Sequence, residues 1–326
     1  MTIQPLSRGL LAAAVLGACA LTGVVSAQDS YDYISIDVPG TDGSQTFGIN
    51  NSGVAAGTAF VFGGPGGSVP FTYDTKKDRI TLVDPVAGFE DTSILAISNR
   101  GSLVGNVYAN GTSSGLLLDK QGNATVFDHP DSVGNTSARA INSRGLIVGI
   151  YDRFEPLFGG AFPAGYLYDP RDDEFTALIP DGIFTIAQGI NARGEIVGSS
   201  FFFSENDPCN PGAPPGSLVS YAWLRDTDGD VQYFTVNGSP TSRARGITDS
   251  GTISGFFVNT DSGMTEGFVT DIGPGQCQDV VVGPDELVVF PGATATFAQS
   301  ISNKGVVVGQ YNDANGDPQS FVATPN

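Results

Sequence analysis

Short apolar runs alternate with Gly, Pro, Asp and Asn along almost the whole chain, and one such alternation occurs six times. It reads GINNSGVAAGTA at 48–59, AISNRGSLVGNV at 96–107 and AINSRGLIVGIY at 140–151. It returns as GINARGEIVGSS at 189–200, GITDSGTISGFF at 246–257 and SISNKGVVVGQY at 300–311. An Ile stands near the start of each copy (Ile49, Ile97, Ile141, Ile190, Ile247, Ile301), at spacings of 48, 44, 49, 57 and 54 residues. The Gly four positions on supplies the positive φ of a tight turn. The Asn, Ser or Thr that follows each Ile can hydrogen-bond the turn backbone. The apolar run after the Gly is a return strand, so the phrase predicts a β-hairpin.

Two further strands complete each unit. A third reads PFTYD at 70–74, GLLLD at 115–119, GYLYD at 165–169, YAWLR at 221–225, GFVTD at 267–271 and SFVAT at 320–324. A fourth reads RITLVDP at 79–85, NATVFDHP at 123–130, EFTALIP at 174–180, DVQYFTV at 230–236 and ELVVFP at 286–291. β-Branched and aromatic residues bounded by Gly, Asp and Pro are strand chemistry. No segment has a helical period. The sixth unit lacks a fourth strand, and a spare strand, SYDYISIDVPG, precedes the first unit. A repeat near 50 residues is propeller-sized. The expected fold is therefore all-β: a six-bladed β-propeller of four-stranded blades, the last closed by the N-terminal strand 30–39, which leaves no long exposed edge. One domain spans 28–326, with units starting near 45, 93, 136, 185, 242 and 295. An open solenoid would need caps and has no use for the spare strand.

The N-terminus stands apart. Arg8 precedes an apolar run from Leu10 to Val25, and VSA fits a cut after Ala27. Residues 1–27 read as a secretory signal peptide, which places the protein in the periplasm, in the medium or at the cell surface. LGAC at 16–19 offers a second reading, a lipoprotein anchored through Cys19. No later stretch is long and apolar enough to span a bilayer. The chain carries 15 Lys and Arg against 34 Asp and Glu, a formal net charge of −19, and residues 1–27 hold only Arg8 of that balance. Such a field repels a phosphate backbone, so nucleic acid is not expected as a partner. It favours a soluble monomer. Two cysteines remain beyond residue 27, Cys209 and Cys277, and an even count in an exported chain predicts a disulfide. They lie in links expected on opposite blade faces, so the bond requires a long insertion to wrap round an edge.

The units resemble the bacterial extracellular HAF-type repeats, in which a GIN-turn-G-x-[IV]-V-G hairpin precedes a short triplet ending in Phe. The resemblance covers almost all of residues 30–324. The His of the triplet is absent: the matching places read Val69-Pro70-Phe71, Glu266-Gly267-Phe268 and Gln319-Ser320-Phe321. The resemblance implies a secreted β-propeller. It brings no catalytic motif.

Candidate chemistry is sparse. His129 is the sole histidine and reads as a loop residue, which leaves no His/Cys metal site and weakens any Ser-His-Asp triad. Calcium is the one cation the sequence admits. The turns DTDGD (Asp226, Asp228, Asp230) and DANGD (Asp313, Asn315, Asp317) offer alternating oxygens, although Asp-Gly and Asn-Gly are also ordinary turn residues. Two residues before each repeat Ile stand Phe47, Leu95, Arg139, Gln188, Arg245 and Gln299. On an innermost strand this column borders the central channel. Arginine suits a carboxylate or phosphate and amides suit sugars, although such groups also bond blade to blade. Asp37, Asp84 and Asp128 end fourth strands on the same face and could ring the funnel mouth. On the opposite face Arg100, Arg144, Arg193 and Lys304 precede the turn glycines. The pattern predicts a secreted, non-enzymatic propeller, a binding or scaffold module for an unidentified extracellular ligand or protein. Arg139, Gln188, Arg245, Gln299, Asp37 and Asp128 are the candidate ligand-binding residues; the alternatives are a glycan-active hydrolase or lyase using two carboxylates at the funnel, and a structural surface protein.

Overall fold

The computed structural model describes residues 24–28, 30–61, 67–156, 158–178, 182–211 and 214–326. The Cys19 anchor and most of the signal peptide lie outside the described residues. Val24–Gln28 pairs antiparallel with Tyr31–Ile36.

Each repeat phrase forms a hairpin. All six turn glycines have positive φ, from 77° at Gly305 to 104° at Gly251, which L side chains avoid. The first unit shows the common plan: Gly43–Ile49, Val54–Phe60, Ser68–Asp74 and Arg79–Leu82 pair in order, all antiparallel. The next two units repeat it over Asp91–Phe127 and Thr136–Leu178. The inner strand of each unit touches the inner strand of the next, and Ala295–Ile301 of the last touches Gly43–Ile49 of the first. Six inner strands thus form a closed circle, with sheets radiating outward in a β-propeller arrangement.

Six separate four-stranded blades are not what the pairing shows. Four sheets hold one unit each, and the last two units run together in a nine-stranded sheet. The cause lies in the fifth unit. Its fourth strand is reduced to Leu287–Val288, which covers only Gly267 and Phe268 of the third strand. The uncovered Thr265 then pairs in parallel with Ala295 of the sixth unit. The segment Cys277–Val280, from the link before that short strand, leaves its own unit altogether. It adds in parallel to Val231–Val236, making the fourth sheet five-stranded. Tyr31–Ile36 pairs antiparallel with Pro318–Pro325 and supplies the outer strand of the sixth unit.

The core is distributed in the seams. Each of six apolar clusters draws on two neighbouring units; the closing one joins Val308 and Val322 to Ile49, Ala55 and Phe71. The third strand brings Phe71, Leu116, Tyr166, Trp223, Phe268 and Phe321 to complete burial. Each faces a glycine of the second strand, as Tyr166 faces Gly149. A Cβ at Gly149 would meet the Tyr166 hydroxyl at 2.6 Å and would run into the Ser137 carbonyl behind it. The second glycine of every repeat phrase therefore makes room for a large side chain on one side and a neighbouring strand on the other.

Candidate functional site

The inner strands are not regular. Register breaks between Thr46 and Gly48, Ile94 and Ala96, Ala138 and Ala140, Ala187 and Gly189, Ala244 and Gly246, and Ala298 and Ser300. The extra residue at each break is Phe47, Leu95, Arg139, Gln188, Arg245 or Gln299. The column two before the repeat Ile is thus a ring of six β-bulges. A bulge re-aims a side chain while leaving the flanking pairs in register. Small residues follow at 48, 96, 140, 189, 246 and 300 because neighbouring inner strands nearly touch there. A Cβ on Gly48 would lie 2.8 Å from the Ala96 Cα.

These six side chains alone line a constriction of about 20 Å³, contiguous with a channel cavity of about 80 Å³ that runs on to the turn end. Around the ring, Phe47 and Leu95 form an apolar third, and Arg139, Gln188, Arg245 and Gln299 alternate cation and amide. The Nε atoms of Arg139 and Arg245 are buried without a hydrogen-bond partner. Neither arginine enters any of the four ion pairs among the described residues. The Arg245 guanidinium lies over the Phe256 ring, 4.9 Å from its centre. Burial pushes both arginines below their ordinary value, and for Arg245 the charges of Arg139 and Arg243 add to it, down to about 9. Arg245 keeps its proton at neutral pH all the same.

Arg243 is the residue that sequence reasoning missed. It stands four before Ile247, lies over Phe201 at 4.7 Å and donates to Ser220 Oγ at 2.6 Å. The signal was there: a second arginine in the same inner strand, Arg243–Ile247, of so acidic a chain.

The turn end is chemically different. Asn191 Oδ1 accepts from the backbone N–H of Arg193, Gly194 and Glu195, and its Nδ2 donates to the Thr248 carbonyl of the next unit. Asn50 and Asn142 reach across in the same way. A second row stitches units together: the N–H of Asn51 donates to Asn99, that of Asp249 to Asn303, and that of Asn303 back to Asn51. Arg193 pairs with Glu195, and Arg144 donates to the Arg193 carbonyl.

Other sequence candidates do not join the channel. Asp37, Asp84 and Asp128 are exposed and absent from its lining, although the chain beside Asp37 and Asp128 bonds the next unit's inner strand, through Ser44 to the Ile36 carbonyl and through the His129 N–H to Thr136. Asp128 accepts from Ser114 instead. Asp226 Oδ1 accepts from the N–H of Asp228 and Asp230, and Asp313 Oδ1 from Asn315 and Asp317. Both acidic turns use their leading carboxylate on their own backbone. Among the described residues no three His, Cys, Asp or Glu side chains gather closely enough to hold a metal. His129 is buried and stacked on Tyr151, its ring centre 3.5 Å away, and Nδ1 accepts from the Asp131 N–H. Burial lowers its pKa. Cys209 and Cys277 are bonded, their Cα atoms 5.5 Å apart. The displaced strand Cys277–Val280 explains how: it brings Cys277 beside Tyr233 on the outer edge of the fourth sheet, next to the 204–217 insertion.

No family model and no curated protein matches the sequence. Solved structures do. TolB from Acinetobacter baumannii is similar over 91% of this chain and 61% of its own length, with a TM-score of 0.50 at 13% identity. The β-propeller domain of the Trilobed protease from Pyrococcus furiosus is similar over 90% of this chain and 84% of its own, with a TM-score of 0.50 at 12% identity. The chain thus spans less than two thirds of TolB. Likeness at this identity concerns the fold, and the class it defines is the β-propeller. Among the described residues no helix is long and apolar enough to cross a membrane.

Proposed function

We propose that the protein is an exported, non-enzymatic β-propeller that binds an extracellular ligand in its central channel. The reading counts six blades, one per inner hairpin and apolar seam, in a HAF-type repeat protein that acts as a monomer after removal of residues 1–27. One observation carries it: six bulges aim six side chains into one constriction, and two of them are arginines whose Nε atoms lack a partner. Buried polar groups are ordinarily satisfied, and a charged one that is not calls for a partner such as a water or an ion. A scaffold that only presented loops would have no need of them.

The test is a thermal-shift series with calcium, polysaccharide fragments and acidic small molecules. A ligand that binds the folded state raises the melting temperature by mass action. A rise that is lost in Gln188→Leu supports the channel. A rise with calcium alone moves the site to the Asp226 and Asp313 turns. No rise with any compound favours a structural surface protein and overturns the proposal.

A further inference from the structure

We infer that the constriction receives a carboxylate head group, held between Arg139 and Arg245, an inference that rests on the channel being the ligand site. The two arginines come from the third and fifth units and flank Gln188 of the fourth, so two guanidinium groups face one small space with an amide between them. Arg243 adds a third positive charge within electrostatic reach of Arg245. The constriction's own lining, Phe47, Leu95, Arg139, Gln188, Arg245 and Gln299, holds no acid. In the wider cavity the acidic lining residue is Asp249, at the turn end, where its carboxylate accepts from the N–H of Ala192 and from Asn303 Nδ2. A chain with 34 acidic residues has placed none against its most enclosed cations. Both guanidinium groups are only partly exposed, and with no acid beside them an anion from solution is the counter-charge that offsets their desolvation.

Size selects the class. A water needs roughly 10–15 Å³ of such space, and the constriction offers about 20 Å³. The space is one to two waters in size, which suits a small head group such as a carboxylate and excludes a sugar ring. Guanidinium N–H groups match a carboxylate's two oxygens in a fork. The apolar third formed by Phe47 and Leu95 suits the carbon to which the head is attached. The ligand is therefore a molecule that inserts one carboxylate and leaves its body in the wider channel, as the end of a uronate-bearing glycan or a small organic acid would.

Chloride is a probe of the same charges, and its ³⁵Cl resonance broadens when it exchanges with a protein site. The purified protein should broaden it. Equimolar acetate or glucuronate should remove the excess width, whereas phosphate should need at least a tenfold higher concentration. Arg139→Gln and Arg245→Gln should abolish the broadening, while Arg100→Gln on the opposite face should retain it. Should a glutamine variant fail to fold, Arg245→Lys keeps the charge without the fork; it should still broaden chloride, with acetate displacing it at least tenfold less well. Broadening that ignores acetate, that survives both glutamine substitutions, or that phosphate displaces best overturns the carboxylate site. A flat chloride signal beside a melting shift from a neutral oligosaccharide, lost in Gln188→Leu, also overturns it and leaves the channel as the binding site. Displacement by acetate with no response to any larger compound keeps the carboxylate site and removes the binding module.

Discussion

The two ends of the channel are built from the same repeat phrase and have opposite chemistry. At the turn end, Asn50, Asn142 and Asn191 each bond their own turn and the next unit. Three residues earlier in the chain, the bulge ring leaves Arg139 and Arg245 with unpaired Nε atoms. The first ring spends its polar groups on holding the circle together. The second holds them back. A single repeated hairpin therefore separates the stabilising and the recognising parts of the molecule along one axis.

The comparison breaks most severely if the bulges go. Gly149→Val should drive a side chain into Tyr166 and the Ser137 carbonyl, at a cost of about 3 kcal/mol or more in a urea melt. An unchanged midpoint would mean that the strand opposite the bulge tolerates a side chain beside Tyr166. Next comes the turn ring. Asn191→Ala leaves a cluster of backbone donors and the Thr248 carbonyl without partners, which should cost about 1–3 kcal/mol. The bulge ring should respond with the opposite sign: Arg245→Met, in buffer free of small carboxylates, should leave the midpoint unchanged or raise it. A loss as large as that of Asn191→Ala would show that Arg245 holds blades together, and the contrast between the ends would vanish.

The smallest effect concerns His129, a buried nitrogen base away from the channel. Burial lowers its folded pKa below the unfolded value near 6.5, so protonation favours unfolding. The stability it contributes is full above about pH 6.5 and is lost as pH falls through that value toward the folded pKa. His129→Phe should flatten that part of the stability–pH curve, measured by melts between pH 7.5 and 5. A curve as steep as the wild type's would assign the slope to other groups.

Much of this was legible in the chain. The repeat Ile, the turn Gly and the Asn after the Ile give the hairpins, because each rests on local geometry. The spare strand 30–39 gives the outer strand of the sixth unit. The column from Phe47 to Gln299 was visible as polarity at a fixed offset. Its cause, a bulge, was not, although the second glycine in every phrase marks the strand that must accommodate it. What the chain does not announce is non-local. Asp37 and Asp128 share a position with one another in the repeat, but nothing in the repeat says whether a strand end turns its carboxylate to the channel or to solvent. The exchange of Cys277–Val280 between sheets depends on a fourth strand too short to cover its neighbour, and no periodicity announces that.

That exchanged strand also sets the order in which the circle can open. Five of the six seams are held by packing and hydrogen bonds alone among the described residues, whereas the seam between the fourth and fifth units is crossed by a strand from one and a covalent bond to the other. Local opening, read as amide hydrogen exchange, should therefore start elsewhere and stop at Val231–Val236 for as long as the disulfide is intact. A reductant would remove that barrier and let the seam between the fourth and fifth units open with the others.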